Sequence, residues 1–391
     1  MRIGIDVRCL AEGKRTGVEE YTLGLLKELF ARDTENEYIL FFNAWRKSVP
    51  DFTWIESYPR VTLRVFRFPN KLLNLALWYF RYPKLDLLLG GVDIFFLPNL
   101  NFAAVSRDCR LVVTAHDLSF ELFPETFSWK QRLWHYLIDF RRLARTADRV
   151  IAVSRSTRAD LMTEYGVADE RIVVIPSGVD PRFAPMDRNS PELMRVKDKY
   201  HLPYRFILYL GTFEPRKNIR SIIEAYEALR QTGGPTVEKF ELVIAGTPGW
   251  KCEDVREATQ ASPYREHIHF PGFIADADKV ALYNLASVFV YPSFYEGFGF
   301  PPLEAMACGV PVIVSHTSSL PEVVGQAGLM IDPYQPDELY RAMREILRDP
   351  VLLASLIREG KVQASGFSWS TTADRTLTLF SSLAKGKPKT V

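Results

Sequence analysis

Side chains that form metal sites and disulfides are thinly spread in this sequence. There are 4 cysteines, Cys9, Cys109, Cys252 and Cys308, and no two form a C-x-x-C pair. That argues against a disulfide framework and against a zinc site, and it suits a reducing cytosol. No window approaches the roughly 18–20 uninterrupted apolar residues of a membrane span. Met1 to Asp6 opens on a strand pattern and not on a signal peptide. Neither sign of charge is in excess: 49 Lys and Arg face 47 Asp and Glu, leaving +2. Bulk charge therefore calls for no nucleic acid or other polyanion. Short-period repeats are also lacking. What is there is ordinary for a globular protein, 47% hydrophobic and 25% charged, and 391 residues is a length for two or three domains.

Short apolar runs alternate with helical stretches along the whole chain. In the first half they predict strands at 2–7, 38–42, 61–66, 93–97, 111–114, 149–154 and 172–175. After Pro176-Ser177-Gly178-Val179-Asp180-Pro181 the chain turns polar and charged from 187 to 199, as a linker or surface helix would. A second alternation follows, with strands at 206–210, 241–245, 267–270, 288–291 and 312–314. Helices are predicted at 18–30, 337–348, 351–363 and 369–384. Apolar strands alternating with helices mean α/β domains, each a parallel sheet covered on both faces. In such sheets the ligand sits beyond the carboxyl ends of the strands, so the expected site is a cleft between two domains.

The most informative stretch runs from Ser293 to Pro311. A strand reaches Tyr291, a loop Glu296-Gly297-Phe298-Gly299-Phe300 follows, and Pro301-Pro302 opens a helix that Gly309 stops. Gly297 and Gly299 let the backbone approach a ligand, and the free amides of the next helical turn point at an anion. Glu296 in the loop and Glu304 on the helix can serve two ends of one ligand. Three other loops stand at strand ends. Gly13 and Gly17 precede a helix, without the Gly-Lys-Ser/Thr spacing of a P-loop. His116 and Asp117 follow an apolar strand. Gly211-Thr212-Phe213-Glu214-Pro215-Arg216-Lys217-Asn218 brings two cations to a position suited to a pyrophosphate.

Taken together, the Glu–x7–Glu stretch and these loops resemble the retaining, nucleotide-sugar-dependent glycosyltransferases of family 4. The resemblance extends over nearly the whole chain. It implies two Rossmann-like domains facing across a cleft, the GT-B architecture. Residues 1–180 would bind the acceptor and 181–368 the donor; the helix in 369–391 would cross back onto the first domain, ahead of a disordered tail at 385–389. It assigns His116 and Glu296 to the transferred sugar and Glu304 to the ribose. Gly17, Thr212, Arg216, Lys217, Gly297, Phe298, Gly299 and Phe300 join the donor site, with Lys217 on the diphosphate. Phe273 lies in Phe270-Pro271-Gly272-Phe273-Ile274, similar to the segment whose backbone reads the base. The chain departs from the commonest pattern at Thr212, where many members carry arginine. That departure and Phe120-Glu121-Leu122-Phe123-Pro124-Glu125 resemble the mannosyltransferases.

The implied donor is GDP-mannose, with a UDP-sugar as the alternative, and the implied acceptor a saccharide or polyprenyl-linked saccharide. No cofactor and no metal are expected. Asp276-Ala277-Asp278 matches a D-x-D metal motif formally, but it opens a helix, and capping by carboxylates is the expected role. The stretches 70–82 and 127–142 are aromatic and basic. They read as helices covering a sheet or as peripheral contacts on the inner face of the plasma membrane of a cytoplasmic protein. Two other classes share these features: a nucleotide-sugar 2-epimerase and a catalytically silent nucleotide-sugar-binding subunit.

Overall fold

The computed structural model describes residues 1–12, 17–45, 49–235, 237–250 and 252–384. Gly13 of the N-terminal glycine loop and the tail 385–389 lie outside them. The apolar runs form two all-parallel sheets in two compact units. Unit 1 comprises Met1–Leu118, Trp129–Gly178 and the chain from Ser368 onward; unit 2 comprises Ser119–Ser128 and Val179–Phe367. The division is therefore more than one cut near residue 180. Ten residues that follow a strand of the first sheet belong to unit 2, and the C-terminal helix belongs to unit 1.

The strands of unit 1 are β1 (Arg2–Asp6), β2 (Glu37–Asn43), β3 (Val61–Phe66), β4 (Ile94–Leu97), β5 (Arg110–Ala115), β6 (Arg149–Ala152) and β7 (Ile172–Val174). Their order is β3-β2-β1-β4-β5-β6-β7. The core of the sheet is closed on both faces, with Ile3, Ile5, Phe95, Phe96, Val112 and Ile151 wholly buried, as continuous apolar strands require. The first helix, Gly17–Arg32, packs against the last, Trp369–Ala384. Gly24 makes this approach possible, since a Cβ there would meet the Trp369 ring at 2.3 Å. The Arg32 guanidinium fixes the other end on Asp374, at 2.7 Å.

Unit 2 has β8 (Phe206–Leu210), β9 (Glu241–Ala245), β10 (Ile268–Gly272), β11 (Val288–Tyr291), β12 (Val312–Ser315) and β13 (Gly328–Ile331), in the order β10-β9-β8-β11-β12-β13. Strands expected at 206–210, 241–245 and 288–291 coincide with β8, β9 and β11. β13 was not expected. It is a short edge strand that opens on Gly328, and its first three residues are only half buried. The polar stretch at 187–199 contains a helix, Pro191–Lys199, with Ser190 capping its N-terminus. The strand order reverses between β8 and β11, which is where a ligand crevice opens in a doubly wound sheet. The loops after those two strands carry the residues described next.

Candidate active site

β11 ends at Tyr291, and the chain reaches the helix Phe300–Ala307 through the expected glycine loop. Gly299 turns into the helix with φ +117°, and a Cβ there would lie 2.8 Å from Leu320 Cδ2. Two constraints therefore demand glycine at this position. The loop is pinned from the segment after β12. The Glu296 N–H donates to Ser318 Oγ at 2.9 Å, and the Ser319 hydroxyl lies 2.9 and 2.6 Å from the carbonyl oxygens of Glu296 and Phe298. Ser318 and Ser319 were not singled out in the sequence, where Thr317-Ser318-Ser319 reads as an ordinary turn.

The loop after β8 delivers its cations to Glu296. A 3-10 turn, Pro215–Lys217, ends on Asn218 in the left-handed region, φ 56°. The Asn218 amide donates to the carbonyls of Pro292 and Pro333 at 3.2 and 2.7 Å, bracing the two loops. Lys217 Nζ then lies 2.6 Å from Glu296 Oε1 and 2.8 Å from the Tyr291 hydroxyl. Arg216 donates to the Tyr295 carbonyl at 2.6 Å and to Glu296 Oε2 at 3.1 Å, with Glu214 at 3.5 Å. Lys217 and Glu296 are buried, 8% and 7% exposed, with Arg216 and Glu214 half-buried beside them. Burial pushes the Glu296 carboxyl up, but Lys217 and Arg216 outweigh it and hold the group at about 2. Burial lowers Lys217, and Arg216 lowers it further, while Glu296 and Glu214 act the other way. Glu296 is thus a carboxylate clamped by two cations.

Glu304 sits elsewhere on the same scaffold. It is 4% exposed, and its Oε2 accepts from the Tyr283 hydroxyl at 2.7 Å. Tyr283, Phe289, Tyr291 and Tyr209 form a row, with ring centroids 5.5, 5.9 and 5.9 Å apart. Tyr283, at one end of the row, donates to Glu304, and Tyr291, third in the row, accepts from Lys217. Sequence reasoning missed both tyrosines, because each reads as an apolar core position. Phe298 is buried against Phe300 and Phe367. Thr212 is exposed, and Phe273 stands 70% exposed just beyond β10. The decapeptide Ser119–Ser128 also packs here, with Phe123 against Tyr295 at 5.5 Å, Phe127 against Trp250 at 6.0 Å, and the Trp250 indole donating to the Thr126 carbonyl.

In unit 1, His116 follows β5. Its Nε2–H donates to the Pro98 carbonyl at 2.8 Å, and its ring meets Tyr21 edge-on at 4.7 Å. Burial lowers its pKa below the ordinary histidine value, partly offset by Pro98 and Asp117. The ring is therefore neutral near pH 7, with Nδ1 as its acceptor. Gly17 is exposed and is the first residue of its helix.

The capping role expected for Asp278 is corrected. It makes no capping hydrogen bond to the helix Lys279–Leu285. Its carboxylate, 2% exposed, is bonded by Arg195, by Lys199 at 2.6 Å and by the Tyr200 hydroxyl at 2.7 Å. Asp276 pairs with Arg182 at 2.8 Å and with Lys279 at 3.2 Å. Among the described residues no group of three His, Cys, Asp or Glu side chains could hold a metal ion.

Two parallel α/β units, with glycine-loop and Arg-Lys elements at the switch point of the second sheet, define a GT-B glycosyltransferase. The chain belongs to the glycosyltransferases of family 4. The family model "Glycosyltransferase Family 4" matches residues 15–183 and "Glycosyl transferases group 1" matches 192–363. O-antigen chain mannosyltransferase B of Escherichia coli is 34% identical over 281 residues, 72% of each chain. The serotype-specific mannosyltransferase WbdA of E. coli is 34% identical over 72% of this chain, a match that spans 34% of that longer protein. Among solved structures, HepE of Anabaena, crystallised with UDP and glucose, shares the fold with a TM-score of 0.72 at 20% identity, covering 98% of this chain and 100% of its own.

Proposed function

We propose that this chain transfers mannose from GDP-mannose to a glycan or lipid-linked saccharide, with retention of anomeric configuration. Unit 2 binds the donor and unit 1 the acceptor. The observation that carries this reading is the buried clamp of Lys217 and Arg216 on Glu296, next to a glycine loop that opens a helix. A carboxylate in this position stands in for a phosphate. When the donor enters, its diphosphate takes Lys217 and the amides at the start of the helix Phe300–Ala307. Glu296 is then released toward the sugar hydroxyls. Glu304, oriented by Tyr283, accepts from the ribose hydroxyls. The segment holding Phe273 reads the base, with Thr212 and Gly17 along the phosphates. Neutral His116 offers Nδ1 to a sugar hydroxyl.

In the reaction the bond from C1 to the phosphate oxygen breaks, and its electron pair leaves on GDP. The acceptor oxygen bonds C1 from the same face, and its proton passes to the leaving phosphate. No side-chain nucleophile is needed. Mannose is preferred because the two E. coli relatives carry that activity in their names. GDP, UDP, GDP-mannose and UDP-glucose in thermal shift and calorimetry test the donor, since a ligand of the native state raises its Tm. Stabilisation by GDP and GDP-mannose is expected. Stabilisation by the uridine nucleotides alone overturns the donor assignment. A C2 epimer formed without acceptor would mark an epimerase, and binding without turnover a silent subunit.

A further inference from the structure

His116 stands in a mount built from separate parts of unit 1. The residue is half-buried just past the end of β5. Its Nε2–H is anchored on Pro98, and the Thr157 hydroxyl donates to its backbone carbonyl at 3.3 Å. An imidazole held at one nitrogen can still rock about its Cβ–Cγ bond, because that torsion has broad wells. Tyr21 is the wall that stops this, edge-on to the ring at 87°. Tyr21 is wholly buried, and its hydroxyl bonds Thr114 Oγ1, two residues before the histidine, at 3.3 Å.

Tyr21 is itself backed by Trp369. The two rings lie 5.9 Å apart at 68°, and Trp369 fills the space over Gly24, three residues further along the same helix. Trp369 is 6% exposed and opens the C-terminal helix. The chain re-enters unit 1 for the last time at Ser368, having left it after Gly178. These two points are packed together, since a Cβ on Gly178 would stand 2.1 Å from the Trp369 nitrogen. A stack of three rings, Trp369, Tyr21 and His116, therefore runs from the crossing segment to the histidine. Packing alone is served by any side chains of this volume. Two edge-on pairs in line behind an imidazole also fix its orientation. We propose that Tyr21 and Trp369 are positioning residues, holding the His116 imidazole in the plane that presents Nδ1 to the transferred sugar. The role in transfer rests on the assignment of His116 to that sugar; the mount itself does not.

Histidine-ring NMR of the full chain tests the mount without a ligand. Among the six histidines, the signals of His116 are those that His116→Asn removes. In the wild type they should show one neutral tautomer, protonated at Nε2. Trp369→Leu and, independently, Tyr21→Leu should shift them or mix in the other tautomer. Trp369→Phe and Tyr21→Phe, which keep a ring, should restore the wild-type signals. Signals unmoved by either leucine variant, in a protein that still melts cooperatively, overturn the proposal. Release of GDP from GDP-mannose gives the second readout. Trp369→Leu should lower kcat by up to about a hundredfold, with KM and GDP affinity little changed. In a His116→Ala background the same substitution should cost almost nothing further. A full, additive loss in that background makes Trp369 a packing residue and overturns the proposal. Unchanged kcat in His116→Ala alone would instead overturn the assignment of His116 to the sugar, and with it the role in transfer.

Discussion

Lys217 Nζ and Glu296 Oε1 lie 2.6 Å apart inside unit 2, so the lysine assigned to the diphosphate and the carboxylate assigned to the sugar are each other's partners. The two residues cannot be tested as independent parts. A diphosphate must compete with Glu296 for the ammonium. Glu296→Gln is therefore expected to leave nucleoside diphosphate affinity unchanged or to tighten it, while kcat falls by orders of magnitude. Lys217→Ala should weaken nucleoside diphosphate by roughly 1.5–3 kcal/mol. It should also lower Tm, because Glu296 stays buried with only Arg216 opposite it. Calorimetry on both single variants and the double variant measures the coupling. A Lys217→Ala protein that binds nucleoside diphosphate like the wild type would remove the lysine from the donor site.

The Tyr283 hydroxyl on Glu304 gives a second, separable prediction. Glu304→Gln should weaken nucleoside diphosphate and intact donor by similar factors, roughly 1–3 kcal/mol each. Tyr283→Phe leaves the carboxylate in place but loosens it, and should cost about 1 kcal/mol in nucleoside diphosphate binding. With a nucleotide lacking its ribose 2′- and 3′-hydroxyls, the wild type and Tyr283→Phe should bind alike. A persistent difference would assign Tyr283 to packing and not to the orientation of Glu304.

Transfer is expected to continue in excess EDTA. The D-x-D carboxylates of Asp276 and Asp278 are held by Arg182, Arg195 and Lys199, and the diphosphate charge falls to Lys217 and the helix amides. Loss of transfer in EDTA, restored by magnesium or manganese, would reassign that charge to a cation.

Acid should destabilise the protein in two stages. Burial holds His116 below the ordinary histidine value and His135 at about 4. The folded state then binds these protons less readily than the unfolded chain, so stability falls as pH drops below about 6.5. Glu296 and Asp278 lie at about 2, their cationic partners outweighing burial. Their contribution is present above the unfolded carboxylate value and is lost as pH falls toward 2. Melting temperatures from pH 8 to 3 should be level near neutrality and decline from about pH 6.5. A Tm unchanged down to pH 5 would contradict the histidine assignments. Since burial holds His116 below the ordinary histidine value, kcat/KM should stay level to a lower pH than an exposed histidine would allow.

Gly299 can be tested against its neighbours. With φ +117° and Leu320 Cδ2 in the path of a Cβ, Gly299→Ala should cost roughly 1–3 kcal/mol of stability. It should also reduce nucleoside diphosphate binding, because the loop it displaces carries Glu296. A variant with native Tm and affinity would show that the loop has slack.

The fold and the loops that carry the candidate site were set by local patterns that a sequence displays. Apolar runs of strand length, glycines at strand ends and prolines at a helix start are short-range signals. They located β8, β9, β11, the Glu296 loop and the helix Phe300–Ala307 almost to the residue. The half-buried edge strand β13 escaped because its apolar run, Leu329-Met330-Ile331, is short and follows a glycine. What only the tertiary structure decided is which side chain meets which. Lys217 and Glu296 are 79 residues apart, and Asp278 and Lys199 are likewise 79 apart. Nothing local distinguishes a carboxylate that will cap a helix from one that will be buried against a lysine. Tyr283 and Tyr291 became partners of Glu304 and Lys217 for the same reason. Burial makes each polar atom's choice of partner energetically large, and that choice is made by packing across the sheet.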